Sequence, residues 1–123
     1  MKPEFTPNAS RIAALNDAMR ARIPFCAGDP ELPGLFVVTR SIAALSQAAV
    51  LAILDEIRHF SAFERGDDPY GEHDFGALEH PEAGRIFWKF DYFADASCTS
   101  GSPDPSDPTQ SFRVLTVMLA EDW

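Results

Sequence analysis

Residues 66–76 read GDDPYGEHDFG, placing four carboxylates, one histidine and one tyrosine within eleven positions. Such a stretch invites three kinds of chemistry. Asp67, Asp68, Glu72, His73 and Asp74 are side chains that ligate divalent cations, and Glu56 and His59, three apart, share a helical face that would add to them. The order nevertheless lacks the D-x-D-x-D-G spacing of a calcium loop and the H-E-x-x-H of a zinc hydrolase. Second, His73 and Asp74 have the residue types of a general base with its orienting carboxylate. Sequence neighbours seldom reach that geometry, and no G-x-S-x-G nucleophile motif is present. No cofactor is called for by any of these patterns. A plainer reading makes Asp68-Pro69-Tyr70-Gly71 a turn, with His73 stitching the loop to the sheet and Tyr70 covering core.

The third kind is electrostatic. Between residues 55 and 82 nine acids (Asp55, Glu56, Glu64, Asp67, Asp68, Glu72, Asp74, Glu79 and Glu82) face only Arg58 and Arg65, a net charge of −7. Duplex DNA carries about one negative charge per 1.7 Å of axis. Carboxylates displayed at comparable density would suit a basic cleft built to hold DNA, and would repel nucleic acid itself. A second acidic loop, SPDPSDP at 102–108, adds Asp104 and Asp107. The asymmetry is pronounced: residues 55–123 hold fifteen acids and five basic residues, whereas residues 1–54 are nearly balanced.

Those side chains need a scaffold, and the chain has the material for one. With 123 residues, 46% of them hydrophobic, and ten phenylalanines, it is expected to form a single domain over 1–123. Thr6-Pro7 reads as a helix start, followed by a stripe of Ile12, Leu15, Met19 and Ile23 that Pro24 ends. LFVVT (35–39) reads as a strand. Ser46 caps a second helix whose buried face is Val50, Ile53, Leu54, Ile57 and Phe60, while 41–45 is a turn or an extra helical turn. Phe75 to Leu78, a turn at 80–84 and RIFWKFDYF (85–93) spell a hairpin, with Ile86, Trp88, Phe90 and Tyr92 inward and Lys89 beside Asp91 on the other face. Residues 94–111 are a Pro-rich loop. Residues 112–120 suit a strand, although Asp107-Pro108 ahead of Gln110 resembles a helix start. The expected class is α+β: two helices packed on a three- to four-stranded, mainly antiparallel sheet.

MKPEFTPNAS lacks a signal-peptide core, no apolar run approaches the ~20 residues of a membrane span, and Cys26 and Cys98 read as reduced thiols. These features lead us to expect a cytoplasmic protein that does not engage membranes.

Several blocks together resemble a known family. LNDAMR (15–20), VVTRSIAAL (37–45), DDPYGEHDFGALE (67–79), FWKFDYF (87–93), SPDPSDP (102–108) and RVLTVMLAEDW (113–123) are similar to short proteins from plasmids and integrated elements of proteobacteria, a domain of unknown function. Trp123 stands where that pattern leads one to expect tyrosine. The resemblance carries no activity, cofactor or catalytic residue. It implies mobile DNA, whose small acidic proteins are often inhibitors of host defence, including anti-CRISPR and antirestriction proteins that are similar to DNA in surface charge. The leading expectation is an inhibitor whose partner is a basic nucleic-acid-binding complex of host defence. A small metal-dependent enzyme at His73/Asp74 and a factor in plasmid maintenance are the alternatives.

Overall fold

The computed structural model describes residues 7–25 and 29–123, so the Thr6 cap and Cys26 lie outside the described residues. The elements run α1 (Pro7–Arg20), β1 (Gly34–Val38), α2 (Arg40–Ala43), α3 (Gln47–Arg58), β2 (Phe75–His80), β3 (Gly84–Phe93), β4 (Phe112–Leu119) and a 3₁₀ turn (Ala120–Asp122). The fold is α+β, and its four strands form an open mixed sheet in the order β1-β4-β3-β2. β2–β3 and β3–β4 are antiparallel, while β1 joins parallel to β4. Among the described residues no helix is long and apolar enough to cross a membrane.

Alternation along β3 and β4 decides which face is buried. Ile86, Trp88 and Phe90 of β3 and Leu115 and Val117 of β4 point to one side and pack with Met19, Ile23, Ile53 and Ile57 from the helical layer. The opposite side keeps Phe87, Lys89 and Asp91 half-exposed, and Lys89 bonds Asp91 there as the spacing suggests. Trp123 closes one end of that outer side by packing edge-on against Phe75 and Phe87.

Local signals account for most element ends. Ser46 Oγ accepts the Ala49 amide at 3.1 Å, the bond expected of a serine cap, and itself donates to Glu82 of the β2–β3 turn at 3.2 Å. α1 stops at Arg20, ahead of Pro24, and the turn after it carries Ile23 into the core. Residues 40–43 resolve into helix α2, which buries Ile42. The segment from 112 is a strand, because its alternate residues fill the inner face beside β3. Gly76 is required for Trp88: a Cβ there would lie 2.4 Å from the indole Nε1. β2 therefore passes close beneath the indole, and its preceding loop is drawn against the helices.

Candidate functional site

The acidic loop is built around one buried carboxylate. The amides of Asp67 and Asp68 bond Glu64 O at 3.1 and 2.7 Å, and Gly71 N bonds Asp68 O at 3.2 Å, closing the expected turn. Asp68 then accepts the Glu72 amide at 3.0 Å and the His73 amide at 3.2 Å on the same oxygen. Gly71 and His73 take left-handed backbone angles, φ 69° and 54°, which bring these amides round to one acceptor. Asp68 is only 5% exposed as a result. It organises the loop from within and does not belong to the displayed surface. Tyr70 is the converse: it stands 66% exposed and covers no core, because the turn it sits in points outward.

His73 is a stitch, but it ties the loop to helix α1 and not, as expected, to the sheet. Nδ1 donates to Asp17 of α1, 2.9 and 3.0 Å from the two carboxylate oxygens. Its ring lies parallel to Phe63 with centroids 3.8 Å apart. Asp17 also receives Arg20 Nη2 at 2.8 Å, and Arg20 Nη1 reaches Ile57 O at 2.7 Å and Phe60 O at 3.1 Å. Arg20 thus satisfies carbonyls near the C-terminal end of α3 while its guanidinium lies over Trp88 and Phe63. The alternative His73–Asp74 pair, which sequence neighbours seldom achieve, forms no hydrogen bond among the described residues. The main-chain carbonyl of Asp74 joins the sheet, accepting Phe90 N at 2.9 Å.

A second cluster fixes the end of the loop to the sheet. Asn16 Nδ2 donates to Glu72 O at 3.1 Å and to Tyr92 Oη at 2.8 Å, and Asn16 Oδ1 accepts from Arg113 Nε at 2.8 Å. Tyr92 Oη in turn donates to Glu72 Oε1 at 3.5 Å. Arg113, fully buried on β4, also bonds Ser111 Oγ and Pro105 O. Burial, followed by repulsion from Asp74, holds the Glu72 carboxyl above its ordinary range. Burial followed by repulsion from Asp68 does the same to Asp74. Burial likewise raises the Tyr92 phenol and lowers Arg113.

The remaining acids divide by what they touch. Asp55 bonds Arg58 at 2.6 Å, and Glu79 bonds Arg85 at 3.3 Å. Glu82 accepts from the Ser46 cap. Asp104 and Asp107 accept from the amides and hydroxyls of Ser106 and Thr109 two residues on. Glu56, Glu64 and Asp67 are exposed and make no salt bridge among the described residues. His59, paired in sequence reasoning with Glu56 as a ligand, directs Nδ1 to Asp55 O at 2.9 Å. Among the described residues no group of three or more His, Cys, Asp and Glu side chains is placed to hold a metal. Cys98 is a free thiol.

Sequence reasoning passed over Asn16, Asp17, Arg20 and Arg113. A signal existed for two of them. Asn16 and Arg20 fall at the i+4 and i+8 positions of the apolar stripe that begins at Ile12, and polar residues on a buried face imply buried partners.

Comparison with known proteins adds one finding. A family model described as "Protein of unknown function (DUF3768)" matches residues 38–122, well over half of the chain. The chain belongs to the DUF3768 family. The matched span takes in α3, the acidic loop and β2 to β4, together with every acidic residue proposed for partner binding. α1 and β1 precede all or most of it, so Asn16, Asp17 and Arg20 lie outside the matched span. No curated protein and no solved structure matches the chain.

Proposed function

We propose that the protein is a cytoplasmic inhibitor of a host nucleic-acid-targeting defence complex, of the anti-CRISPR or antirestriction kind, and that its acidic surface occupies a basic DNA-binding cleft. One observation carries this reading: Glu56, Glu64 and Asp67 are exposed on the last turn of α3 and the loop after it and make no salt bridge among the described residues, in a stretch whose net charge is −7. Carboxylates that the fold does not neutralise retain their field for a partner, and long-range attraction to a cationic cleft speeds encounter. Asp55, Glu79 and Glu82 extend the acidic surface although each has a local partner. Asp104 and Asp107 lie on the separate 94–111 loop, and Glu72 and Asp74 are half-buried, so these four are secondary contributors.

The test is a tagged pull-down from a host lysate with active CRISPR and restriction systems, eluted by a salt step, followed by a DNA-cleavage assay of the recovered complex. A defence nuclease released at moderate salt and inhibited by the pure protein supports the reading. Inhibition that persists unchanged in the E56K/E64K/D67K variant removes the electrostatic mechanism. The metal-dependent alternative at His73 and Asp74 finds less support, since His73 Nδ1 is bonded to Asp17 and no group of three or more candidate ligands is placed to hold a metal among the described residues. Activity abolished by a chelator is its distinguishing outcome.

A further inference from the structure

The helical layer packs on one face of the sheet and leaves the other open. Strand register assigns Leu35 and Val37 of β1, Val114 of β4, Phe87 of β3 and Phe75 of β2 to the open face. Leu35 is 43% exposed, Val37 38%, and Trp123, which packs on Phe75 and Phe87, 70%. Apolar side chains that adjoin in this way mark an interaction surface, whereas scattered ones do not. Four strands about 4.8 Å apart, with β4 eight residues long at about 3.4 Å each, present roughly 500 Å² in projection. Side-chain relief raises that towards the roughly 800 Å² that each partner contributes to a standard interface.

Charge selects the occupant. The chain carries −9 overall, yet the charged strand residues of this face are two bases and two acids, Arg85 with Glu79 at 3.3 Å and Lys89 with Asp91 at 2.5 Å. A face neutralised by its own pairs has little to attract a cationic cleft, and it is where a second acidic chain meets the least repulsion.

The register also makes the face complementary to itself. Phe36, Leu115 and Phe90 lie side by side across β1, β4 and β3. A two-fold axis along that row, in the plane between two stacked sheets, sets β1 on β1 and β3 on β3 of the second copy, each antiparallel. Leu35 then meets Val37, Phe87 meets Phe93 and Lys89 meets Asp91 of the second copy. The two Lys89–Asp91 pairs become one ring of alternating charges flanked by apolar contacts. Sheets stacked in this way lie about 10 Å apart, a gap that side chains from both faces fill.

We propose that the open face of the sheet is a self-association surface, on which a second copy of this chain docks about that axis. α3 packs on the opposite side of the sheet, so Glu56 of both copies stays free in the dimer. The contact is independent of whatever partner the acidic surface engages.

The test is sedimentation velocity of the full chain from about 1 to about 500 μM, at low and at high salt. The expected result is a concentration-dependent rise from the monomer mass to twice that mass. Salt should favour the dimer, because it screens repulsion between two acidic bodies across a neutral contact; docking into a basic cleft responds in the reverse sense. Val37→Lys, at an exposed position, is expected to weaken association about tenfold or more. Lys89→Glu leaves only acids in the ring and should do the same, whereas K89E/D91K restores the alternation and should restore the dimer. A wild-type chain that stays monomeric throughout overturns the proposal and leaves the face to a different protein. A dimer indifferent to both Val37→Lys and Lys89→Glu overturns it as well, since the contact then lies elsewhere. No host complex enters these measurements, so they are decided separately from the cleavage assay.

Discussion

Two irregular loops, each with three aspartates, are held in different ways. Residues 94–111 hold their shape largely from within. Asp95, Asp104 and Asp107 each accept from the amide and hydroxyl of the residue two positions on, and nearby Arg113 anchors Pro105 and Ser111. Residues 61–74 add to their local turns around Asp68 a set of anchors from outside. Their fixed points are His73 on Asp17 and Glu72 O on Asn16, both 56 positions away in sequence, and the stack of His73 on Phe63. The electrostatics differ in the same sense. Hydrogen bonds lower the carboxyls of Asp95 and Asp107, whereas burial raises those of Glu72 and Asp74. The first loop keeps Asp95 and Asp107 in water and lowers them; the second buries Glu72 and Asp74 and raises them.

The largest expected effect comes from the residue that serves both regions. Arg113→Met strips hydrogen bonds from Asn16, Ser111 and Pro105 O together, and is expected to cost on the order of 3 kcal/mol, read from the urea midpoint. Next is Asp68→Ala, at about 2 kcal/mol, because the Glu72 and His73 amides lose their buried acceptor. Hydrogen exchange should quicken at those two amides and leave residues 94–111 unchanged. Protection lost equally in both loops would show that they are one cooperative unit and break the comparison.

The pH response sharpens it further. Glu72 and Asp74 titrate higher folded than unfolded, so between the ordinary carboxylate range and their raised values the folded chain binds more protons. Their contribution is most favourable at low pH and is lost as pH rises through that window. Asp95 and Asp107 run the other way: their contribution is present above the ordinary range and lost as pH falls through their lowered values. The E72Q/D74N variant should therefore gain on the wild type at pH 7, with the gain shrinking towards about pH 4, where an unfolded carboxyl takes up its proton. A gain independent of pH would sink the assignment to burial. The smallest effect belongs to Asp107→Ala, whose exposed turn water can replace; its loss of Tm should be below that of Asp68→Ala.

The same division governs what could be read in advance. The serine cap of α3, the apolar faces of α1 and α3, the alternation of β3 and the turns at 68–71 and 80–84 depend on residues within a few positions of one another, and all are present. β4 was legible from its β-branched residues, and the Lys89–Asp91 pair from its period of two. The exposed Tyr70 and the buried Asp68 were not, because a turn motif specifies backbone geometry and leaves open which side faces the body. The histidine's stitch was expected at the sheet and is found at α1, because the left-handed backbone at His73 sends the ring to a partner 56 positions away that no local signal marks.

Sequence by itself determined the element types, the α+β class, the excess of carboxylates between 55 and 82 and the self-contained turns around Asp104 and Asp107, since propensity, period and charge are properties of the nearby chain. Tertiary structure alone decided that β1 lies parallel beside β4, that Asp17 and not Asp74 holds His73, and that Asp68 is buried while Glu56, Glu64 and Asp67 face solvent. Those choices depend on which distant groups satisfy each buried donor and acceptor, and that pairing exists only once the helices have docked on the sheet.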